Sequence, residues 1–169
     1  FEASITGSDL TISKAGDIQV LSGVNADNNT LAGAITATVL SKAAQAGFVT
    51  VSDTTQTATV NANSTVNVNA KNIKANNLKL ASNLNKTATT GSTSSTIGAV
   101  SVNSLDLNST VGGNSSINLA GSSEIANAID IDMNDTSTAH NEIVDAALTI
   151  AEASKNESNA KVNSNTEVN

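Results

Sequence analysis

Four acidic or amide residues at close spacing, Asp130, Asp132, Asn134 and Asp135, are the strongest chemical signal in the chain. Hard oxygen ligands at alternate positions open a calcium loop, in which carboxylates and carbonyls wrap the ion. Such a loop needs a glycine at its sixth position for a sharp turn, and Asp135 stands there instead. The glycine-rich nonapeptide that binds calcium in β-rolls is also missing. The run therefore reads as the solvated face of a strand, with Ile129, Ile131 and Met133 turned inward.

Other chemistry is thinner. His140 is the single histidine, with Asp135, Glu142 and Asp145 near it in sequence. A histidine beside carboxylates suits a general base, yet no serine-bearing turn accompanies it, and it reads as a loop residue. Glycan cleavage needs paired carboxylates, but the acids are scattered, no arginine is present to hold a uronate, and only two phenylalanines are available to stack a sugar. Gly112-Gly113-Asn114 reads as a β-turn, since no helix follows to offer a phosphate its N-terminus. Asn28, Asn63, Asn85, Asn108, Asn114, Asn134 and Asn156 each open an Asn-x-Ser/Thr sequon, a glycosylation signal in an exported protein that marks turns in either case. No catalytic, cofactor-binding or metal-ligating residue is assigned, and no cofactor is expected.

The elements that would carry these residues are short strands. Val66-Asn67-Val68, Leu78-Lys79-Leu80, Val100-Ser101-Val102 and Ile129-Asp130-Ile131 each alternate apolar and polar, as side chains alternate across a strand. Asn, Ser, Thr, Gly and Asp lie between them, as turns require. The sequence also matches itself at a shift of about 51 residues. Val49 and Val51 fall on Val100 and Val102, Thr59-Val60 on Thr110-Val111, and Asn63 to Val68 on Asn114 to Leu119. Leu78 and Leu80 fall on Ile129 and Ile131, and a truncated copy continues with Val162, Asn165, Val168 and Asn169. We divide the chain into approximate repeats 49–99, 100–150 and a partial 151–169 within a single segment 1–169.

The N-terminal part fits this scheme with an altered connection. Ser8 to Ile12 followed by Ile18 to Val20 resembles Ser64 to Val68 followed by Leu78 to Leu80, with a shorter link between them. Ala34 to Ala46 is alanine-rich and Asn141 to Lys155 has helical spacing; in the second the matching repeat places Gly98, which disfavours helix, and both stretches are expected to contain strand, with helix the alternative for Ala34 to Ala46.

Repeated period-two pattern points to stacked strands, so the expected class is all-β, a parallel β-helix or β-solenoid. A coil of about 20–25 residues would give about seven rungs, roughly 35 Å of rod at ~4.8 Å per rung. Val, Ile, Leu and Ala fill such an interior, and equivalent asparagines such as Asn67, Asn118 and Asn169 can form ladders.

Composition narrows the function. Cysteine is absent, which removes disulfides, thiol catalysis and zinc–thiolate sites. A net charge of −7 and a pI near 4.4 argue against nucleic acid or anionic membrane as partner. Charged residues make up 14% of the chain, so Asn, Ser and Thr supply the polar surface. No membrane-spanning run or leader is visible, and the first residue is Phe1, which suits an excised or mature fragment.

Ser64-Thr65-Val66-Asn67-Val68-Asn69-Ala70 followed by Leu78-Lys79-Leu80-Ala81-Ser82, and the same style from Ile97 to Asn103 and Ser115 to Leu119, resemble the stalks of large bacterial exoproteins of the filamentous-haemagglutinin type, including leukotoxin-like filamentous adhesins. The resemblance implies a right-handed β-helical filament, an extracellular or outer-surface location, and attachment to host-cell, bacterial or matrix components, including biofilm. It carries over no site residues. The expectation is a structural stalk segment, with head-to-tail self-assembly through exposed solenoid ends as the alternative. Neither an enzymatic activity nor insertion into a membrane is expected.

Overall fold

The computed structural model describes residues 1–11, 16–23 and 34–169, with side chains of 8–11 left aside. Ile12 and the sequon at Asn28 lie outside the described residues. Strands β1 (Glu2–Thr11), β2 (Asp17–Ser22), β3 (Ala34–Asn61) and β4 (Ser64–Val168) account for nearly all of the rest, and no described residue is helical. The all-β expectation holds, including strand across Ala34 to Ala46 and Asn141 to Lys155. A chain without proline keeps every backbone N–H for pairing. Its Val, Ile and Thr residues favour the pleated backbone.

All pairings are parallel. The sheet is open, with order β1-β4-β2 and with β3 also on β4. Glu2 lies beside Thr65, Asp17 beside Asn77, and Ala34 beside Asn85. The offset thus falls from 63 to 60 to 51 residues and then holds to the end of β3, where Asn61 pairs with Gly112. Val49 on Val100, Val51 on Val102 and Val60 on Val111 are true neighbours, as the sequence period suggested.

β4 spans 105 residues and cannot run straight. It lies beside itself: Leu119 N donates to Asn169 O and Asn169 N to Ile117 O, both at 2.9 Å. Residues 64–112 therefore form a middle tier between a first tier (β1 to β3) and a third tier that begins near Asn114. Neighbours along the hydrogen-bonding direction are 51 residues apart, not the expected 20–25. Residues closer in sequence meet across the interior instead. Ser82 Oγ donates to Ser64 18 residues away, and Lys86 Nζ to Gly113 O 27 residues away. Segments brought face to face by such bonds, as Ser64 and Ser82 are, form the two walls of the core.

The N-terminal alignment is half right. Ile18 and Val20 sit on Leu78 and Leu80, as expected. Glu2 to Ile5, not Ser8 to Ile12, pair with Thr65 to Val68, and Leu10 pairs with Ile73. The link from Thr11 to Asp17 is longer than its counterpart from Lys74 to Asn77, not shorter.

The core divides in two. The larger cluster joins Ile18, Val20, Val66, Val68, Ala70, Ile73, Ala75, Leu78, Leu80 and Ile117, with Met133 packed against it. A smaller cluster holds Ala58, Val60, Ala88 and Val111. Inward positions are even-numbered from Ser64 to Ala70, odd at Ile73 and Ala75, even again from Leu78 to Thr96, and odd from Ser101 to Ile117. At each change of parity the side-chain phase slips by one. Gly113 and Gly121 make two bends at φ 104° and 110°. A Cβ at either would lie within 2.0 Å of a carbonyl oxygen of the tier beside it, Ala62 or Ala70. Only glycine gives both that φ and that closeness.

One expected orientation is reversed. Val66, Val68, Leu78 and Leu80 point inward, but Val100 and Val102 are 38% and 44% exposed while Ser101 between them is wholly buried. The parity slip between Thr96 and Ser101 turns this triplet inside out, and a slip of one residue moves every side chain to the other face.

Candidate functional site

The acidic run is split by strand alternation. Asp130, Asp132 and Asn134 are exposed on the outward face of β4. Asp130 pairs with Lys79 of the middle tier at 3.3 Å, where a surface ion pair contributes little. Asp135 turns into the core. Met133 packs against the larger core, but Ile129 and Ile131 are left 47% and 41% exposed, so of the three residues expected to turn inward only Met133 is covered.

Among the described residues, Asp135 and Lys86 form the most densely hydrogen-bonded buried ion pair. Their side chains are 1% and 0% exposed and 3.1 Å apart. Lys86 Nζ also donates to Gly113 O at 3.1 Å and to Ser164 Oγ at 3.0 Å. Asp135 accepts from Ser115 Oγ at 3.1 Å and from Ser137 Oγ at 2.9 Å. Ser137 and Ser164 meet at 2.8 Å. Each charge finds an opposite charge and neutral partners, the condition under which buried charge is tolerated. The site ties middle and third tiers together and joins both walls.

The sequence held a signal for it. Lys86 occupies an inward phase between Leu84 and Ala88, and Asp135 falls one period after Leu84. Two charges break the apolar phase in adjacent columns, and a pair is the simplest way to bury both.

Hydroxyls continue the polar seam. Ser64 Oγ donates to Ser22 Oγ, and Ser82 Oγ to Ser64 Oγ, each at 2.9 Å. Ser109 Oγ donates to Thr90 Oγ1 at 3.3 Å and to His140 O at 2.9 Å. Thr90 donates to Asn141 Oδ1 at 2.8 Å.

His140 is exposed on β4, not in a loop. Its sequence neighbours are dispersed: Asp135 is in the core, Glu142 is exposed, and Asp145 accepts from Ser94. Among the described residues, no group of three or more His, Cys, Asp or Glu side chains is arranged to hold a metal. Gly112-Gly113 carries a left-handed bend within β4 rather than a separate turn, and Gly113 O accepts from Lys86.

Outside, amides ladder between tiers. Asn118 Nδ2 donates to Asn67 Oδ1 at 2.7 Å, and Asn169 Nδ2 to Asn118 Oδ1 at 3.1 Å. Asn159 Nδ2 donates to Asn108 Oδ1 at 3.2 Å, and the Asn114 backbone N–H to Asn63 Oδ1 at 2.8 Å. The sequon asparagines Asn63 and Asn108 are thus engaged between tiers, while Asn114, Asn134 and Asn156 have exposed side chains.

Two surface lysines have raised pKa values. Lys74 hydrogen-bonds Glu124 at 2.7 Å, and Lys155 bonds Glu157 at 2.6 Å. In both, the hydrogen bond to the carboxylate is the main cause and its charge the second.

The remaining feature is apolar. Phe48, Val49, Val51, Ile97, Val100 and Val102 are exposed apolar residues, with Val49 beside Val100 and Val51 beside Val102. Among the described residues, no helix is long and apolar enough to cross a membrane. No protein-family model, curated protein or solved structure matches this chain.

Proposed function

We propose that the chain is a structural stalk segment of a bacterial cell-surface or secreted filamentous adhesin, folded as a right-handed parallel β-helix. The observation that carries this reading is the parallel register of 51 residues, kept without interruption along β3 and repeated in the amide ladder from Asn67 to Asn169. A constant register lets tiers be added indefinitely, each hydrogen-bonded to the next. With 51 residues to a coil the chain supplies a little over three coils, roughly 15 Å of rod at ~4.8 Å each. The role is mechanical: a stiff rod holds a binding tip away from the cell. Its outward polar rows add weak contacts to host-cell, bacterial or matrix components, strengthened by multiplicity.

The test is electron microscopy of the native source with antibody raised against this chain. Labelled rods on the outer surface are expected. Label confined to the cell interior would end the reading.

Head-to-tail self-assembly is favoured by one observation. Ile129 and Ile131 are 47% and 41% exposed, whereas their counterparts Leu78 and Leu80 are fully buried under Ile18 and Val20. The third tier presents apolar columns like those on which the first tier already sits. A second copy's first tier is a matching cover, and an uncovered strand edge invites one. Sedimentation of the isolated chain separates the readings: a concentration-independent monomer supports the stalk, and growing filaments support the polymer.

A further inference from the structure

Beyond the apolar cores, the interior between Gln45 and Asn103 is polar. Gln45 Oε1, Thr50 Oγ1, Ser101 Oγ and both amide atoms of Asn103 are buried without a hydrogen-bond partner. Thr50 is 8% exposed and Ser101 0%. Buried polar groups are almost always satisfied and an unsatisfied one is costly, so Gln45 Oε1 and the two Asn103 amide atoms, which border one cavity, need a guest.

The space for it is present. Gln45 and Asn103 line one small cavity together with Ser92, Ser94, Thr96 and Asp145. The cavity offers about 30 Å³ to the centres of water-sized molecules. One water needs about 10–15 Å³ by that measure.

The chemistry selects the guest. Gln45 Oε1 and Asn103 Oδ1 need donors, and Asn103 Nδ2 needs an acceptor. A bare cation would suit the oxygens and repel the amide N–H. An apolar guest would satisfy none of them. A water molecule both donates and accepts. We propose that this cavity is a binding site for ordered water, about two molecules, which bridge Gln45 Oε1 to the Asn103 amide with the Ser92 and Thr96 hydroxyls as further partners. The coil thus has a wet inner edge opposite its dry one.

The experiment compares the chain with its Gln45→Leu/Asn103→Leu variant by oxygen-17 magnetic relaxation dispersion. Long-lived water is expected in the parent, with a loss of about two molecules per chain in the variant while its circular dichroism stays β-type. An equal long-lived water count in a folded variant overturns the site. Should the variant fail to fold, a high-resolution crystal structure of the parent decides. Density at about 2.7–3.2 Å from both Gln45 Oε1 and Asn103 Nδ2 supports water. A dry cavity overturns the proposal. So does a peak with oxygen-only contacts at about 2.3–2.6 Å, which would be a cation.

Discussion

The interior around Leu78 and Leu80 and the interior around Ser101 and Asn103 use the same backbone geometry for opposite purposes. In the first, Val66, Val68, Leu78, Leu80 and Ile117 are all at most 1% exposed and pack from both walls. In the second, Thr50, Thr96 and Ser101 hold the inward positions, and the valines of the same segment face out. Parallel pairing continues through both, since β3 keeps its register past Val49 and Val51. Ladder hydrogen bonds alone are therefore enough to carry the strand around the repeat. Burial of apolar side chains is concentrated on one part of it, and the drive to fold is concentrated there too.

Charge insertion should break this contrast most sharply. Val66→Asp or Ile117→Asp places an unpaired carboxylate among apolar side chains, a cost of several kcal/mol that should unfold much of the chain, or roughly its whole stability margin. Val102→Asp should change stability by no more than about 0.5 kcal/mol, as surface substitutions do. Thermal melts read the difference. Equal losses at Val66 and Val102 would mean that the valine triplet faces inward after all.

The ion pair ranks second. Asp135→Ala strands the Lys86 ammonium and should cost about 3–5 kcal/mol by denaturant titration. Lys86→Met/Asp135→Leu should recover most of that loss, because a hydrophobic replacement of a buried pair is often neutral or better. A double variant as unstable as Asp135→Ala would mean that the serines, not the charges, hold the seam.

The outer ladder should matter less. Asn118→Ala removes one bond to Asn67 and one from Asn169, and a loss of about 1 kcal/mol is expected. A drop as large as that for Asp135→Ala would place tier cohesion on the surface instead of in the core.

The smallest effect belongs to Lys74. Its pKa is raised above 10.5 by Glu124, so the stabilisation is complete below 10.5 and disappears as pH rises through the raised value. Glu124→Gln should lower the Lys74 titration midpoint by NMR and leave the melting behaviour at neutral pH unchanged.

Much of this was legible in advance. The match of Val60 to Val111 and the series Asn67, Asn118, Asn169 required only that identical residues recur at one spacing, and both are tier-to-tier contacts. The acidic run was readable as a strand face, because alternation at Ile129, Ile131 and Met133 is local. The coil length was not, since a 51-residue period suits two short rungs or one long one equally well. Nor were Val100 and Val102, whose triplet is indistinguishable by pattern from Val66-Asn67-Val68. The apolar cover offered by Ile129 and Ile131, and the water site at Asn103, arise from neighbours far away in sequence.

By itself, then, the sequence determined the strand state and the spacing of equivalent residues. Both follow from backbone and side-chain preferences repeated at a fixed interval, which act between nearest neighbours. Only the tertiary structure decided which face of each strand is inside. A slip of one residue, such as the one between Thr96 and Ser101, turns the following side chains over, and whether it occurs depends on where the opposite wall stands. For the same reason Lys86 and Asp135, outwardly unremarkable charges 49 residues apart, became a densely hydrogen-bonded buried ion pair.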